Sequence, residues 1–170
     1  QLMKHISFVS QDNFLFNISI KENIRMGNPC ATDEEVLAAA KAARCDEFIR
    51  KMEYGYDTLV GDAGGKLSGG ERQRITIARA ILKPADVVIL DEASAYADPE
   101  NEVYIEEAIN ELVKDKTLIV VAHRLETIEN SDKIVVVDQG KIVAEGTQSE
   151  LLKNCALYKR LWNETILTSE

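Results

Sequence analysis

Leu67-Ser68-Gly69-Gly70-Glu71 is followed, after fifteen intervening residues, by Val87-Val88-Ile89-Leu90-Asp91-Glu92. The first stretch reads as a turn opening a helix. Ser68 is a favoured N-cap, and the helix is expected to run to about Lys83, where Pro84 stops it. The second is four apolar residues in succession, the pattern of a parallel strand buried on both faces, ending in two carboxylates. Thr117–Ala122 repeats that pattern as a second buried strand, with His123 at its end. Between them, Pro99-Glu100-Asn101-Glu102 opens a helix through Val113. Buried strands alternating with helices predict an α/β fold with a parallel, doubly wound sheet.

Upstream, Ile6-Ser7-Phe8-Val9 reads as a short strand broken by Ser10-Gln11-Asp12-Asn13. Residues 18–26 suit one short helix closed by Gly27-Asn28-Pro29. Thr32 caps another, with Val36, Leu37, Ala40 and Ala43 at helical spacing. A further short helix is expected over residues 46–52. Downstream, Ile134 to Val137, Gly140 and Ile142-Val143 predict a hairpin, and residues 147–165 two terminal helices. No repeat or low-complexity stretch is apparent.

The 170 residues, 45% hydrophobic, fit one ordinary domain with its own core. A net charge of −9 argues against sequence-independent nucleic-acid binding, which needs a basic face, and against attraction to an anionic membrane. The three cysteines, Cys30, Cys45 and Cys155, show no CxxC spacing and read as incidental thiols in a reducing cytosol. No apolar run approaches the ~20 residues that span a bilayer, and no secretory leader stands at Gln1. The chain is therefore expected to be soluble and cytoplasmic, although it begins abruptly, without an initiator methionine.

In Ser68-Gly69-Gly70, the glycines let backbone amides approach a ligand, and the helix that follows points its positive end the same way. The Ser68 hydroxyl suits either a helix cap or a phosphate contact. Alone, the triplet is better read as a capped helix after a glycine-rich loop. Asp91 and Glu92 emerge where open α/β sheets place their ligands. One carboxylate suits Mg²⁺ and the other suits orienting or deprotonating a water, against the plain alternative of two solvated acids. His123, at the same position on the neighbouring strand, suits a γ-phosphate or the attacking water; a lone histidine there would be an ordinary loop residue. Gln11 offers a neutral ligand to metal or water, or serves a turn. His5 has no such setting. Gly64-Gly65-Lys66 imitates a P-loop, but G-x-x-x-x-G-K-[ST] would need Gly at Val60 and Ser or Thr at Leu67, and no stretch of the chain meets it.

Taken together, these residues resemble the nucleotide-binding domain of ABC transporters over essentially the whole chain. Leu67–Glu71 is similar to the LSGGQ signature with Glu for Gln, and Val88–Glu92 to Walker B with the catalytic glutamate. Gln11 matches the Q-loop, Asp98 the D-loop aspartate and His123 the switch histidine. Asn17-Ile18 with Glu22-Asn23-Ile24, and Gly55–Thr58 before Val60-Gly61-Asp62, resemble the exporter subgroup. Two positions depart from the pattern. The D-loop reads Ala95-Tyr96-Ala97-Asp98 where Ser-Ala-Leu-Asp is usual, and Asp62 stands where exporters often carry Glu.

The resemblance implies a P-loop NTPase-type parallel sheet with an inserted helical subdomain, the N-terminal β-subdomain and P-loop strand expected upstream of Gln1. It divides the chain into residues 1–19 (end of a core strand and the Q-loop), 20–79 (helical subdomain with the signature) and 80–170 (the rest of the ATPase core). It implies ATP and Mg²⁺ as cofactors, Glu92, His123 and Gln11 as catalytic residues, and Asp91 with Gln11 at the metal. Ser68, Gly69, Gly70 and Glu71 are implied to bind nucleotide held by another chain. The implied partners are a second nucleotide-binding domain and a transmembrane domain, with no nucleic acid, at the cytoplasmic face of the membrane. Phe14 and Phe16 abut the membrane domain in that picture, or else form helical-subdomain core. Two rival functions are a soluble ABC ATPase of translation or DNA repair and a non-catalytic dimerising remnant.

Overall fold

The apolar runs do pair as parallel strands. The structure, a computed structural model, describes residues 2–10, 12–91, 99–122 and 125–168; Gln11, Glu92, Asp98 and His123 lie outside them. Contacts divide the chain into two compact units, residues 1–121 and 122–170.

In the first unit, β1 (Ile6–Val9), β2 (Val87–Asp91) and β3 (Thr117–Val121) form a parallel sheet in that order. Phe8 stands opposite Ile89, and Ile89 opposite Ile119. The long connection from β1 to β2 is helical: α1 (Ile20–Arg25), α2 (Asp33–Ala42), α3 (Asp46–Ile49) and α4 (Gly69–Leu82). Helix α5 (Pro99–Val113) joins β2 to β3. Ser19 and Thr32 cap α1 and α2 with their side chains, and Thr32 forms a reciprocal box with Glu35. Helix α3 is shorter than residues 46–52, because its last turn tightens: the Lys51 and Met52 amides donate three residues back, to Phe48 and Ile49.

Helix α4 is the centre of this unit, packing against α1, α2, α5 and β1. It buries Gln73, Arg74, Ile75, Thr76, Ile77, Ala78 and Ala80, so it is covered on nearly every side. The Arg74 guanidinium lies between two rings, 5.0 Å from the centroid of Phe48 and 5.1 Å from that of Tyr104. Such cation–π contacts offset part of the cost of burying the charge, about 0.5–2 kcal/mol each. Nearby in the core, burial pushes the Cys45 thiol far above its ordinary range, which makes it unreactive.

The strands correct one sequence expectation: neither apolar run is buried on both faces. In β1 and β2, Ser7, Val9, Val88 and Leu90 are buried, and the Ser7 hydroxyl donates to the Ala80 carbonyl of α4. On the other face Phe8 is 51% exposed. Strand β3 is exposed along its whole length, Leu118 to Val121 included. Helix α4 covers one side, and among the described residues nothing comparable covers the other.

The second unit is a hairpin, β4 (Ile134–Asp138) with β5 (Lys141–Gly146), followed by α6 (Gln148–Asn154) and α7 (Ala156–Thr168). Gln139 and Gly140, at φ 46° and 75°, make the two-residue turn that needs positive φ at both positions. Thr147 and Glu150 form another capping box at α6. Ile134, Val136, Leu151 and Tyr158 make the core of this unit.

Gly70 and Gly69 face different surroundings. A Cβ on buried Gly70 would lie 2.7–2.9 Å from Cγ, Cβ and Oδ1 of Asn101 in α5, whereas one on exposed Gly69 would meet only Arg72 Nη2, at 4.0 Å. Gly70→Ala should therefore destabilise the protein by about 1–3 kcal/mol through overpacking. Gly69→Ala should stay within about 0.5 kcal/mol of the parent. Urea unfolding of both variants checks this, and equal losses would contradict the packing described.

Candidate phosphate-facing helix start and strand-end carboxylates

The start of α4 is built by a tight loop and a reciprocal cap. Gly61 and Gly64 both take φ 76°, and Ala63 takes φ 50°, folding residues 61–67 back so that the Lys66 amide donates to the Val60 carbonyl and Leu67 to Gly64. Gly64 also has to be glycine for space, since a Cβ would sit 2.7 Å from Cδ of Arg72. The P-loop imitation Gly64-Gly65-Lys66 therefore lies in a turn of its own.

At the cap, Ser68 Oγ accepts from the Glu71 amide at 3.2 Å, and the Glu71 carboxylate accepts from the Ser68 amide at 2.8 Å. The first amides of a helix have no partner within it. The box takes those of Ser68 and Glu71 and leaves those of Gly69 and Gly70 at the positive end of α4. Ser68 and Gly69 are exposed. The Ser68 hydroxyl, used as an acceptor, still carries a proton to donate. Capping the helix and contacting a phosphate are therefore compatible roles for Ser68.

Three refinements follow. Gly70 is explained by packing on Asn101, leaving Gly69 as the glycine that keeps the approach open. Glu71 has its carboxylate tied into the cap, a role the Ser68-x-x-Glu71 spacing spells out. Arg72 was not singled out from the sequence. Its guanidinium donates to the Leu67 carbonyl at 2.6 Å and lies beside Gly69. A cation at a helix N-terminus opposes the helix dipole, so it adds positive charge where an anion would be received. Only its place next to the signature could have flagged it.

At the sheet, Val9, Leu90 and Val120 stand side by side, and Asp91 pairs with Val121 at the carboxyl ends of the strands. Gln11 follows β1 by two residues, Glu92 follows β2 directly, and His123 follows β3 by two. Each of the three catalytic candidates thus comes within two residues of a strand's end in sequence, although they lie outside the described residues, as does Asp98. Asp91 is the described member of the metal set, half-buried at its strand end. Mg²⁺ typically takes one or two carboxylates with phosphate oxygens and water, which a single aspartate there fits. Among the described residues no three His, Cys, Asp or Glu side chains gather as a ready-made metal cage, and no helix is long and apolar enough to cross a membrane.

Phe14 and Phe16 are 54% and 47% exposed and pack edge to face, centroids 5.1 Å apart. They are a surface pair, which removes the alternative that they are helical-subdomain core. Asn17 Nδ2 donates to Asp62 at 2.9 Å, so the segment bearing them is tied to the loop before α4.

Comparison with known proteins accords with this geometry. The family model described as ABC transporter matches residues 1–95. An uncharacterized ABC transporter ATP-binding protein of Sinorhizobium fredii is 47% identical over 168 residues, covering 99% of this chain and 29% of that protein. A putative multidrug export ATP-binding/permease protein of Staphylococcus aureus is 49% identical over 162 residues, covering 95% and 28%. A solved bacterial Atm1-family ABC exporter with ATP bound superposes with a TM-score of 0.83 at 41% identity, covering 95% of this chain and 28% of that one. The chain thus spans less than a third of the length of these relatives. With 95 of its 170 residues matched by the family model, and the parallel sheet and capped signature helix in place, the chain belongs to the ABC transporter family.

Proposed function

We propose that this chain is the greater part of the ATP-hydrolysing domain of an ABC exporter, coupling ATP hydrolysis to transport across a membrane. The observation that carries the reading is the start of α4, where exposed Gly69 and its amide stand open at the positive end of a capped helix. A putative multidrug export relative at 49% identity and a solved Atm1-family exporter at 41% support it. The bare apolar face of Phe8 and β3 fits a domain to which further chain contributes.

On this reading residues 1–19, 20–79 and 80–170 are the Q-loop end of a core strand, the helical subdomain and the remaining core. Ser68 and Gly69, with Gly70 and Glu71 fixing the turn, receive the γ-phosphate of an ATP held by a second nucleotide-binding domain. Glu92 takes the proton of the attacking water while Gln11 and His123 orient it. General-base help of this kind is worth about 10²–10⁴-fold in rate. Asp91, with Gln11, would hold Mg²⁺, which when bound neutralises charge on the phosphates. Asp98 contacts the opposing domain. Phe14 and Phe16 face the transmembrane domain, at the cytoplasmic side.

Two outcomes test this. In the full-length protein, Glu92→Gln should retain ATP binding and lose at least about 10²-fold in turnover; hydrolysis near the parent rate would remove Glu92 as the base. Residues 1–170 alone contain no G-x-x-x-x-G-K-[ST] stretch, so calorimetric titration should detect at most weak ATP binding. Micromolar, Mg²⁺-dependent binding by these residues alone would contradict the need for a G-x-x-x-x-G-K-[ST] loop outside them.

A further inference from the structure

Residues 12–18 belong to no helix or strand, yet they present the Phe14–Phe16 pair in one arrangement. Two side chains hold them. Asn23 of α1 is fully buried; its Oδ1 accepts from the Phe16 amide at 3.0 Å, and its Nδ2 donates to the carbonyls of Phe16 and Ser19 at 3.0 and 3.1 Å. Arg79 of α4 then grips Asn23 and the segment together. Its Nε donates to the Asn23 carbonyl at 2.9 Å, one terminal nitrogen to Asn23 Oδ1 at 3.0 Å, and the other to the Phe14 carbonyl at 3.4 Å. The end of α1 meets α4 at the same residue, because a Cβ on Gly27 would lie 2.1 Å from the Arg79 carbonyl oxygen.

Burial lowers the Arg79 pKa, and these three acceptors are neutral oxygens. A half-buried cation held by dipoles alone is a costly way to gain stability, and its gain is a fixed geometry. The planar fork satisfies three acceptors in one orientation, which a lysine ammonium cannot reproduce. Arg79 stands ten residues from Gly69 on the same helix, about 15 Å along its axis.

We infer that Arg79 and Asn23 are positioning residues that couple the Phe14–Phe16 surface to the phosphate-facing start of α4. Displacement of that surface by a partner is carried through the guanidinium into the helix that presents Ser68 and Gly69. The functional side of this coupling rests on the ATPase reading above; the mechanical side does not.

The test combines two measurements on the full-length protein. In steady-state ATP hydrolysis, Phe16→Ala should change kcat by about threefold or more with Arg79 intact and by less than about 1.5-fold alongside Arg79→Lys. An equal effect of Phe16→Ala in both backgrounds would overturn the coupling. In hydrogen exchange, Arg79→Lys should speed exchange at the Phe16 amide by about tenfold and leave the β2 amides unchanged. Equal acceleration at β2 would reduce Arg79 to a general stabilising residue, and no change at Phe16 would remove the mechanical link. Absence of hydrolysis in the parent would overturn the ATPase reading, and the exchange measurement would then decide the mechanical link alone. Arg79→Gln reads out the same quantities if the lysine variant does not fold.

Discussion

Residues 1–121 depend on how α4 is begun and surrounded. A helix buried on nearly all sides has to satisfy its polar groups from within the protein, and this one does so at its start and at Arg79, whereas Arg74 Nε is buried with no hydrogen-bond partner among the described residues. The Ser68–Glu71 box closes its first turn, Arg74 lies between Phe48 and Tyr104, and Arg79 reaches back to Asn23 and Phe14. Without the cap, the first turn would lose a contribution of about 1 kcal/mol, and the amides of Gly69 and Gly70 would lose their aim. Helices α1, α2 and α5 and strand β1 all pack on this one element. The exposed start of α4 and the turn that holds Asn23 and Phe14 are therefore stretches of a single supported helix.

Much of this was legible in the sequence because it is local. Thr32-x-x-Glu35, Ser68-x-x-Glu71 and Thr147-x-x-Glu150 all form the reciprocal caps that their spacing spells. Four-residue apolar runs became parallel strands, and Gln139-Gly140 became the hairpin turn. What escaped is tertiary. An apolar run states that a strand can be buried on both faces, but only neighbours decide whether it is, and Phe8 and β3 are bare here. Nothing in Asn23 or Arg79 taken singly announces that each completes the other, fifty-six positions apart. Gly70 and Gly69 look equivalent in a motif, yet Asn101 makes one a packing residue and leaves the other open.

For the site itself, the legible part was residue type and order, which together indicated the family. In sequence, Gln11, Glu92 and His123 follow the ends of β1, β2 and β3 within two residues, and Asp91 stands at the end of β2 by register. The division of labour proposed between two chains has a physical rationale. The helix start offers amide donors and a nearby arginine, which suit an anion, while the end of β2 offers the Asp91 carboxylate, which suits a cation.

That division is most directly measured by complementation in paired full-length copies. Gly69→Asp places a carboxylate where the phosphate is received, and Glu92→Gln removes the base. If α4 serves the nucleotide of the opposite chain, a pair carrying one lesion in each copy keeps one intact site and hydrolyses ATP, whereas a pair carrying both lesions in one copy loses both sites. The reverse pattern, with activity surviving only when both lesions share a copy, would contradict the account.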